Sequence, residues 1–566
     1  MSEEQGSESA VSRSQSIKED EMAEEKEAPK KLSRKDFVKG AAAVAGAGAL
    51  ASCAPAATPA PGETAAPAPT CPPAEECAPC PVPGVPETWD KEADVVVVGF
   101  GGAGGMAAIH AHDAGAQVII LEKTPTPGGD TSLCGGYILA AGTSVQKAEG
   151  ISDTPDEMYK YLMAAGKGLS NPDLCRVVAD KSAEIVEWLI ERGTVFGSLV
   201  YSGAEEEPGY AAITPSKMRG HIADAIPLES ITWPWRPATL HTPPDSPPTG
   251  GTGLFKPLWD GVTDRAIEVL LETRAMELVT DPIKKEIVGV KAESKGTTLY
   301  IKARSGVVLS AGSFGQDKEM VLHYSPNALL ADYTNLSSTG DGHKMGMAMG
   351  AGLRNMSFGS AWVGIGKVYG GPYRSIPSGS LMVNYGGRRF ANETAYRSPA
   401  EAAGGYWGRP VFAIFDEDIA AKAEVPETIA SEAKMVEAPT IRELAIKKGM
   451  DPTVLEDTVN DYNEYVNLGE DLEFGRSGMV PIKTPPFYAA ECKVSTTSVS
   501  HGGLTTNTKS QVIDVFGKVK PRLYAAGRVA CGVFGVMYPA SGTAIADAFV
   551  FGRIAGENAA AEQPWE

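Results

Sequence analysis

The sequence predicts an α/β protein built around a parallel sheet, and three observations predict it. The β-branched run Asp94-Val95-Val96-Val97-Val98 suits a strand buried on both faces. It leads into a glycine-rich turn, Gly99-Phe100-Gly101-Gly102-Ala103-Gly104. A second apolar run, Val118-Ile119-Ile120-Leu121, ends on the acid Glu122. With 566 residues, 43% of them apolar, and 63 glycines, the chain needs more than one core and many tight turns.

Taken in order, residues 1–53 read as an export signal. Met1 to Lys30 is polar and expected to be disordered. Ser33-Arg34-Lys35-Asp36-Phe37-Val38-Lys39 precedes a small apolar run, Gly40 to Ala51, too short to cross a bilayer. The basic stretch resembles a twin-arginine signal with Lys in place of the second Arg, which leaves the twin-arginine and general export routes both open. Leu50-Ala51-Ser52-Cys53 matches a lipobox, so Cys53 is expected to carry the lipid of a cell-envelope lipoprotein on the extracytoplasmic face. The alternative is a secreted protein with an incidental Cys.

Residues 54–90, rich in Pro and Ala, are expected to act as a semi-rigid linker. Cys77-Ala78-Pro79-Cys80 is followed by Pro81 rather than His, so it lacks the imidazole of a c-type haem attachment. For these two and Cys71 a disulfide is favoured over a metal site. A net charge of -20 repels polyanions and argues against nucleic acid as a partner.

The next stretch carries the chemistry. In the turn after the first strand, glycines permit the tight bend, close approach of backbone to a pyrophosphate, and packing of helix on strand. A helix over about Gly105 to Ala114 would aim its N-terminal amides at the phosphates. Glu122 lies where a carboxylate accepts ribose hydroxyls. His110 and His112 face different ways on this helix, and no metal site is read there.

Lys123 to Gly136, Lys-Thr-Pro-Thr-Pro-Gly-Gly-Asp-Thr-Ser-Leu-Cys-Gly-Gly, resembles the second flavin-binding segment of the fumarate reductase and 3-ketosteroid dehydrogenase superfamily of FAD-dependent oxidoreductases. The resemblance implies FAD, with Lys123, Gly129, Asp130, Thr131, Gly135 and Gly136 along the diphosphate, ribityl chain and ring. Gly129 falls near the position of the covalent flavin His of succinate dehydrogenases, so the FAD is expected to be non-covalent. Cys134 is expected near the ring, as a small buried thiol by default.

The resemblance continues to the C-terminus. A helix near Phe255 to Arg274 would lead into a strand whose Met276 backbone meets the adenine. Val307 to Phe314, with Ala311 and Gly312, resembles the returning strand and glycine turn, and Thr339-Gly340-Asp341-Gly342 the segment that closes the flavin domain. Leu523 to Arg528, including Gly527, resumes that domain. Ser541-Gly542-Thr543-Ala544-Ile545-Ala546 opens a last helix whose amides would stabilise the reduced ring. The implied fold is a discontinuous Rossmann-like FAD-binding domain, residues 91–354 and 491–566, with an inserted α+β capping domain, residues 355–490, containing a helical stretch around Thr440 to Val466.

Gly387-Arg388-Arg389-Phe390-Ala391-Asn392-Glu393-Thr394-Ala395-Tyr396-Arg397 is similar to the cap motif that ends, in fumarate reductases, in the Arg that protonates substrate. Arg397 takes that place, with Tyr396 as the alternative acid. A surface or substrate-clamping role is the bland reading of Arg397. The dicarboxylate-binding residues of fumarate reductases are not matched: the early cap reads Gly359 to Gly364, the late His position falls at Ser498 or Val499, and the Arg position at Tyr538 or Pro539. Tyr538-Pro539-Ala540-Ser541-Gly542 is instead similar to the carbonyl grip of ketosteroid dehydrogenases. Gly527-Arg528 with Ala540-Ser541-Gly542-Thr543 most resembles the 3-ketosteroid Δ4-(5α)-dehydrogenases.

The implied catalytic set is Tyr538 and Gly542 on a carbonyl oxygen, with Arg397 or Tyr396 handling a proton. Trp233, Trp235 and Trp362 are candidates for an apolar wall. The expected reaction is hydride exchange at a carbon–carbon bond beside the carbonyl of a small apolar substrate, in the reducing direction, with a separate membrane or periplasmic electron carrier. Ketosteroid oxidation, a fumarate reductase-like activity and a non-catalytic flavoprotein carrier are the alternatives.

Overall fold

The computed structural model describes residues 85–200, 217–234, 247–325, 336–365, 376–394, 409–423, 425 and 427–565. Cys53, Cys71, Cys77 and Cys80, Trp235, Tyr396 and Arg397 lie outside them. The first strand, β1, spans Lys91–Val98, and α1 spans Gly102–Asp113. Then come β2 (Val118–Leu121), α2 (Gly129–Leu133) and α3 (Gly250–Asp264). Strands β3 (Glu268–Leu270), β4 (Thr273–Thr280), β5 (Ile287–Ser294) and β6 (Thr297–Leu309) follow, with α4 over Asp341–Ala348.

β1 is the centre of the sheet, paired in parallel with β2 on one side and β6 on the other. Its Val95, Val96, Val97 and Val98 are buried, which is why alternation is absent from the run. Each such burial is worth roughly 1.5–3 kcal/mol. The helix expected to reach Arg274 ends at Asp264. β3 follows it and extends the parallel sheet beyond β2, and β4 and β5 form an antiparallel pair beside β6.

A second sheet has its own core. Strands β7 (Gly359–Ile365), β8 (Leu381–Val383), β9 (Val411–Asp416) and β10 (Val436–Ala438) are joined by β11 (Phe487–Ser500), which pairs antiparallel with β7, β9 and β10. The helical stretch expected around Thr440 to Val466 is two helices, α5 (Ile441–Lys448) and α6 (Pro452–Leu468). Gly449 in the left-handed conformation closes the first, and Asp451, accepting from the amides of Thr453 and Val454, caps the second. Pro452 at the first helical position completes the break. Leu444, Leu455, Val459 and Tyr462 bury these helices against Phe412, Ile414 and Phe415. This inserted layer is the capping domain of the α/β fold.

The chain then returns to the first sheet through β12 (Gln511–Ile513) and β13 (Val519–Ala525), the latter parallel to β6. It ends in α7 (Thr543–Ala560), which packs along α1. The helices approach closely because Gly552 and Gly556 carry no side chain; a Cβ there would lie 2.4 Å from the Ala103 oxygen and 2.1 Å from the Ala107 oxygen. Among the described residues no helix is long and apolar enough to cross a membrane.

Candidate active site

The β1–α1 turn is shaped by two glycines for different reasons. Gly99 has φ +101°, and a Cβ on it would fall 2.7 Å from the Ser310 oxygen. A Cβ on Gly104 would fall 1.9 Å from the Gly99 oxygen, so Gly104 serves the turn itself and does not face the cleft. Gly104→Ala is expected to yield protein purified without stoichiometric flavin, read as the ratio of flavin to protein absorbance. Full occupancy would contradict the steric account.

A cavity of about 370 Å3 opens over this turn, within the range of small-molecule and cofactor sites. Its wall brings together most of the expected residues: Gly99, Gly101, Gly102 and Ala103 at the α1 N-terminus; Glu122 and Lys123 after β2; Gly129, Asp130, Thr131 and Gly135 around α2; Ala311 and Gly312 after β6; Asp341 at the start of α4; and Gly527, Arg528, Tyr538, Gly542 and Ala544 from the C-terminal part. A Cβ at Gly101, Gly129 or Gly312 would meet nothing closer than 3.6 Å. The chain thus leaves open space above the positive end of α1, a cradle that suits a diphosphate.

At one end of the cleft, charges are mutually satisfied. Glu122 accepts from the Phe100 amide at 2.9 Å and from the Thr124 amide and hydroxyl at 2.8 Å each. A carboxylate has about four acceptor positions, so it keeps capacity for a ribose hydroxyl. Lys123 Nζ donates to Asp341 at 2.9 Å, and Arg274 donates to the same carboxylate at 2.7 and 3.2 Å. Burial works against ionisation of Asp341, but the bonds from Arg274 and Lys123 outweigh it and hold the carboxyl below its usual range.

Besides Gly104, three expected cofactor contacts do not line the cleft. Met276, whose backbone contact was expected, is 41% exposed and is not among the lining residues, which here are Thr273, Arg274 and Ala275. The pairing of β4 with β5 shifts register between Ala275 and Glu277, and this irregularity accompanies the outward turn of Met276. Gly136, at φ +86°, packs against Gly250, where a Cβ would lie 2.6 Å from the Gly250 Cα. Thr543 is fully buried and donates its hydroxyl to the Ala540 oxygen at 2.9 Å, securing the start of α7. Trp233 is a core residue, edge-on to Phe255 at 5.4 Å, rather than a wall of the site.

The other end of the cleft holds Tyr538, 4% exposed. Its ring stacks on Phe534 at 5.5 Å with an interplanar angle of 4°, and His501 packs on both rings. Its hydroxyl accepts from the Ala544 amide at 3.2 Å, in the first turn of α7. Gly542 precedes that turn at φ +95°, pressed against the Ile138–Leu139 backbone, where a Cβ would clash at 2.7 Å. Burial pushes the Cys134 thiol up to about 11, so this residue faces the cleft as a neutral thiol.

Sequence reasoning did not find His501, although it directly precedes Gly502-Gly503. It also did not find Asp547, which receives a 2.7 Å bond from Arg528. Asp547 had a signal: it is the one acid in the mainly apolar stretch Thr543 to Gly556, and such an acid needs a buried partner.

Comparison with known proteins agrees with this geometry. A family model described as an FAD binding domain matches residues 94–545. A probable fumarate reductase of Shewanella frigidimarina is 31% identical, with 83% of this chain and 75% of that protein covered. A digoxin reductase of Eggerthella lenta is 30% identical over 84% of this chain and 89% of its own length. The crystal structure of 3-ketosteroid-Δ4-(5α)-dehydrogenase from Rhodococcus jostii RHA1, in complex with 4-androstene-3,17-dione, superposes with a TM-score of 0.71 at 29% identity, covering 84% of this chain and 98% of that one. With the family model spanning both halves of the cleft wall, the chain belongs to the FAD binding domain family and is an FAD-dependent oxidoreductase.

Proposed function

We propose that the protein reduces a carbon–carbon double bond conjugated to the carbonyl of a small, largely apolar substrate such as an enone or ketosteroid. The observation that carries this reading is Tyr538, its hydroxyl at the N-terminus of α7 and its ring fixed in an aromatic stack on the cleft wall. The described cations of that wall already have partners: Lys123 and Arg274 hold Asp341, and Arg528 holds Asp547. A dicarboxylate would bring two charges into a site offering neutral donors, which is unfavourable. Relatives that reduce fumarate and digoxin, and a structural neighbour that binds an unsaturated steroid ketone, share this framework.

FAD would be held non-covalently by the cleft and, once reduced by a separate electron carrier, would supply the hydride. Tyr538 orients the substrate by donating its O–H to the carbonyl oxygen. The Ala544 amide, donating into the same phenolic oxygen, strengthens that donation, and the dipole of α7 favours the negative charge that gathers on the carbonyl. Gly542 adds a backbone donor where a side chain would not fit. Arg397, or Tyr396, supplies the α-carbon proton. The same carbonyl grip serves dehydrogenation, which is the second reading.

The remaining parts follow from the N-terminal sequence. We propose residues 1–53 as export signal, a lipid anchor on Cys53, a linker over 54–90, and a separate envelope electron carrier. The substrate class is tested by titrating the oxidised holoprotein with uncharged enones and with succinate. Perturbation of the flavin absorbance by the enone alone is expected, and perturbation by succinate alone would overturn the reading.

A further inference from the structure

The Tyr538 end of the cleft contains one buried ion pair that the mechanism does not use. Arg528 lines the cleft, is 9% exposed, and donates to Asp547 at 2.7 Å and to the Ser500 oxygen at 2.9 Å. Its guanidinium lies 4.0 Å over the Phe534 ring, whose other neighbours are Tyr538 and His501. Asp547 lies on α7 one turn beyond Gly542 and Ala544, both on the cleft wall. We propose that the Arg528–Asp547 pair sets the charge felt by the redox-active ring, with Arg528 as a positioning cation and Asp547 as the group that cancels it.

The physical basis is the imbalance between the two partners. Reduction of a flavin adds negative charge to the ring, so a nearby uncompensated cation favours the reduced form, and a cation paired with a carboxylate favours it less. Asp547 is buried, and that burial pushes its carboxyl up to about 6 despite Arg528 beside it. The pair is therefore neutral above that pH and cationic below it. Of the other groups around the pair, burial pushes the Cys175 and Cys531 thiols up to about 12 and the His343 imidazole down to about 4, while His501, stacked on Phe534 with Nδ1 bonded to the Gly535 oxygen at 3.0 Å, is the second titratable ring on this wall. Arg354 is the remaining cation acting on Cys175 and Cys531. His343 is fully buried, edge-on to the Phe314 ring at 5.2 Å.

This inference rests on the reading that the flavin ring occupies the Tyr538 end, and its test needs bound FAD but no substrate. A failure of the substrate assignment is therefore distinguishable from a failure here. Midpoint potentials of FAD-loaded wild type, Arg528→Gln, Arg528→Lys and Asp547→Asn would be measured by spectroelectrochemistry at about pH 5 and about pH 8, either side of the raised carboxyl.

Arg528→Gln removes one positive charge at either pH and is expected to shift the midpoint to more negative values at both. Arg528→Lys keeps the charge and is expected to stay near wild type. Asp547→Asn mimics the protonated acid, so its midpoint is expected to be more positive than wild type at the higher pH and to converge with it at the lower. A midpoint for Asp547→Asn equal to wild type at both pH values would overturn the proposal. If Arg528→Gln fails to load FAD, the comparison of Arg528→Lys with Asp547→Asn decides it, because equal potentials in those two at the higher pH contradict the proposal.

Discussion

Arg389→Met is expected to destabilise the capping domain by about 3–5 kcal/mol, the usual cost of stranding buried charges. Arg389 is 5% exposed and donates to Glu393 at 2.9 and 2.8 Å and to Asp471 at 2.8 and 2.7 Å. The rings of Tyr462 and Phe474 lie 5.2 and 5.1 Å from its guanidinium. Removing the cation leaves two buried carboxylates, with Arg476 reaching Glu393 alone at 3.1 Å.

Burial works against ionisation of Asp471. The Arg389 bond and the amides of Arg476 and Glu473 outweigh it and hold the carboxyl at about 2. Because this pKa is depressed in the folded state, Asp471 stabilises the fold at pH above its unfolded value. That contribution fades as pH falls from about 4 towards 2. The variant should therefore melt well below wild type near neutral pH, and the gap should narrow in acid. Thermal unfolding across that range reads both effects, and a gap that does not change with pH would contradict the ion-pair account.

The second large effect is on rate. Tyr538→Phe is expected to slow reoxidation of the reduced enzyme by an enone roughly 10²–10³-fold, the loss that follows removal of one donor to a developing oxyanion. The ring stack with Phe534 and His501 survives this change, so flavin content and thermal stability should stay at wild-type levels. Rapid-mixing kinetics separate the two contributions. A loss of substrate affinity without a fall in the limiting rate would make Tyr538 a binding group only.

The features legible in the sequence were local ones. The valine run of β1, the glycine turn and the terminal acid Glu122 each follow from a short stretch of chain, and the structure sets them in one parallel register with Val118–Leu121. The break between α5 and α6 was equally local, written in Gly449, Asp451 and Pro452, within what was expected as one helical stretch around Thr440 to Val466. Other features depend on distant partners. The outward turn of Met276 comes with an irregularity in pairing to β5, and alternation along β4 alone does not show it. Trp233 is a core residue because Phe255 and Trp259 lie beside it. The Arg528–Asp547 and Arg389–Asp471 pairs join residues 19 and 82 positions apart, and although the lone acid Asp547 calls for a buried partner, the chain between does not say which residue that is. The same holds for His501, whose stacking on Tyr538 needs the return of β11 to the flavin domain.

The central claim is that this cleft reduces a double bond conjugated to a neutral carbonyl. The most direct test is anaerobic mixing of the photoreduced holoprotein with a steroid 4-en-3-one, with simpler enones and with fumarate, following the return of oxidised flavin absorbance. At least one enone is expected to reoxidise the flavin more than roughly tenfold faster than buffer alone, a margin of about 1.4 kcal/mol in barrier, with fumarate no faster than buffer. Reoxidation by fumarate alone, or by none of these compounds, would contradict it.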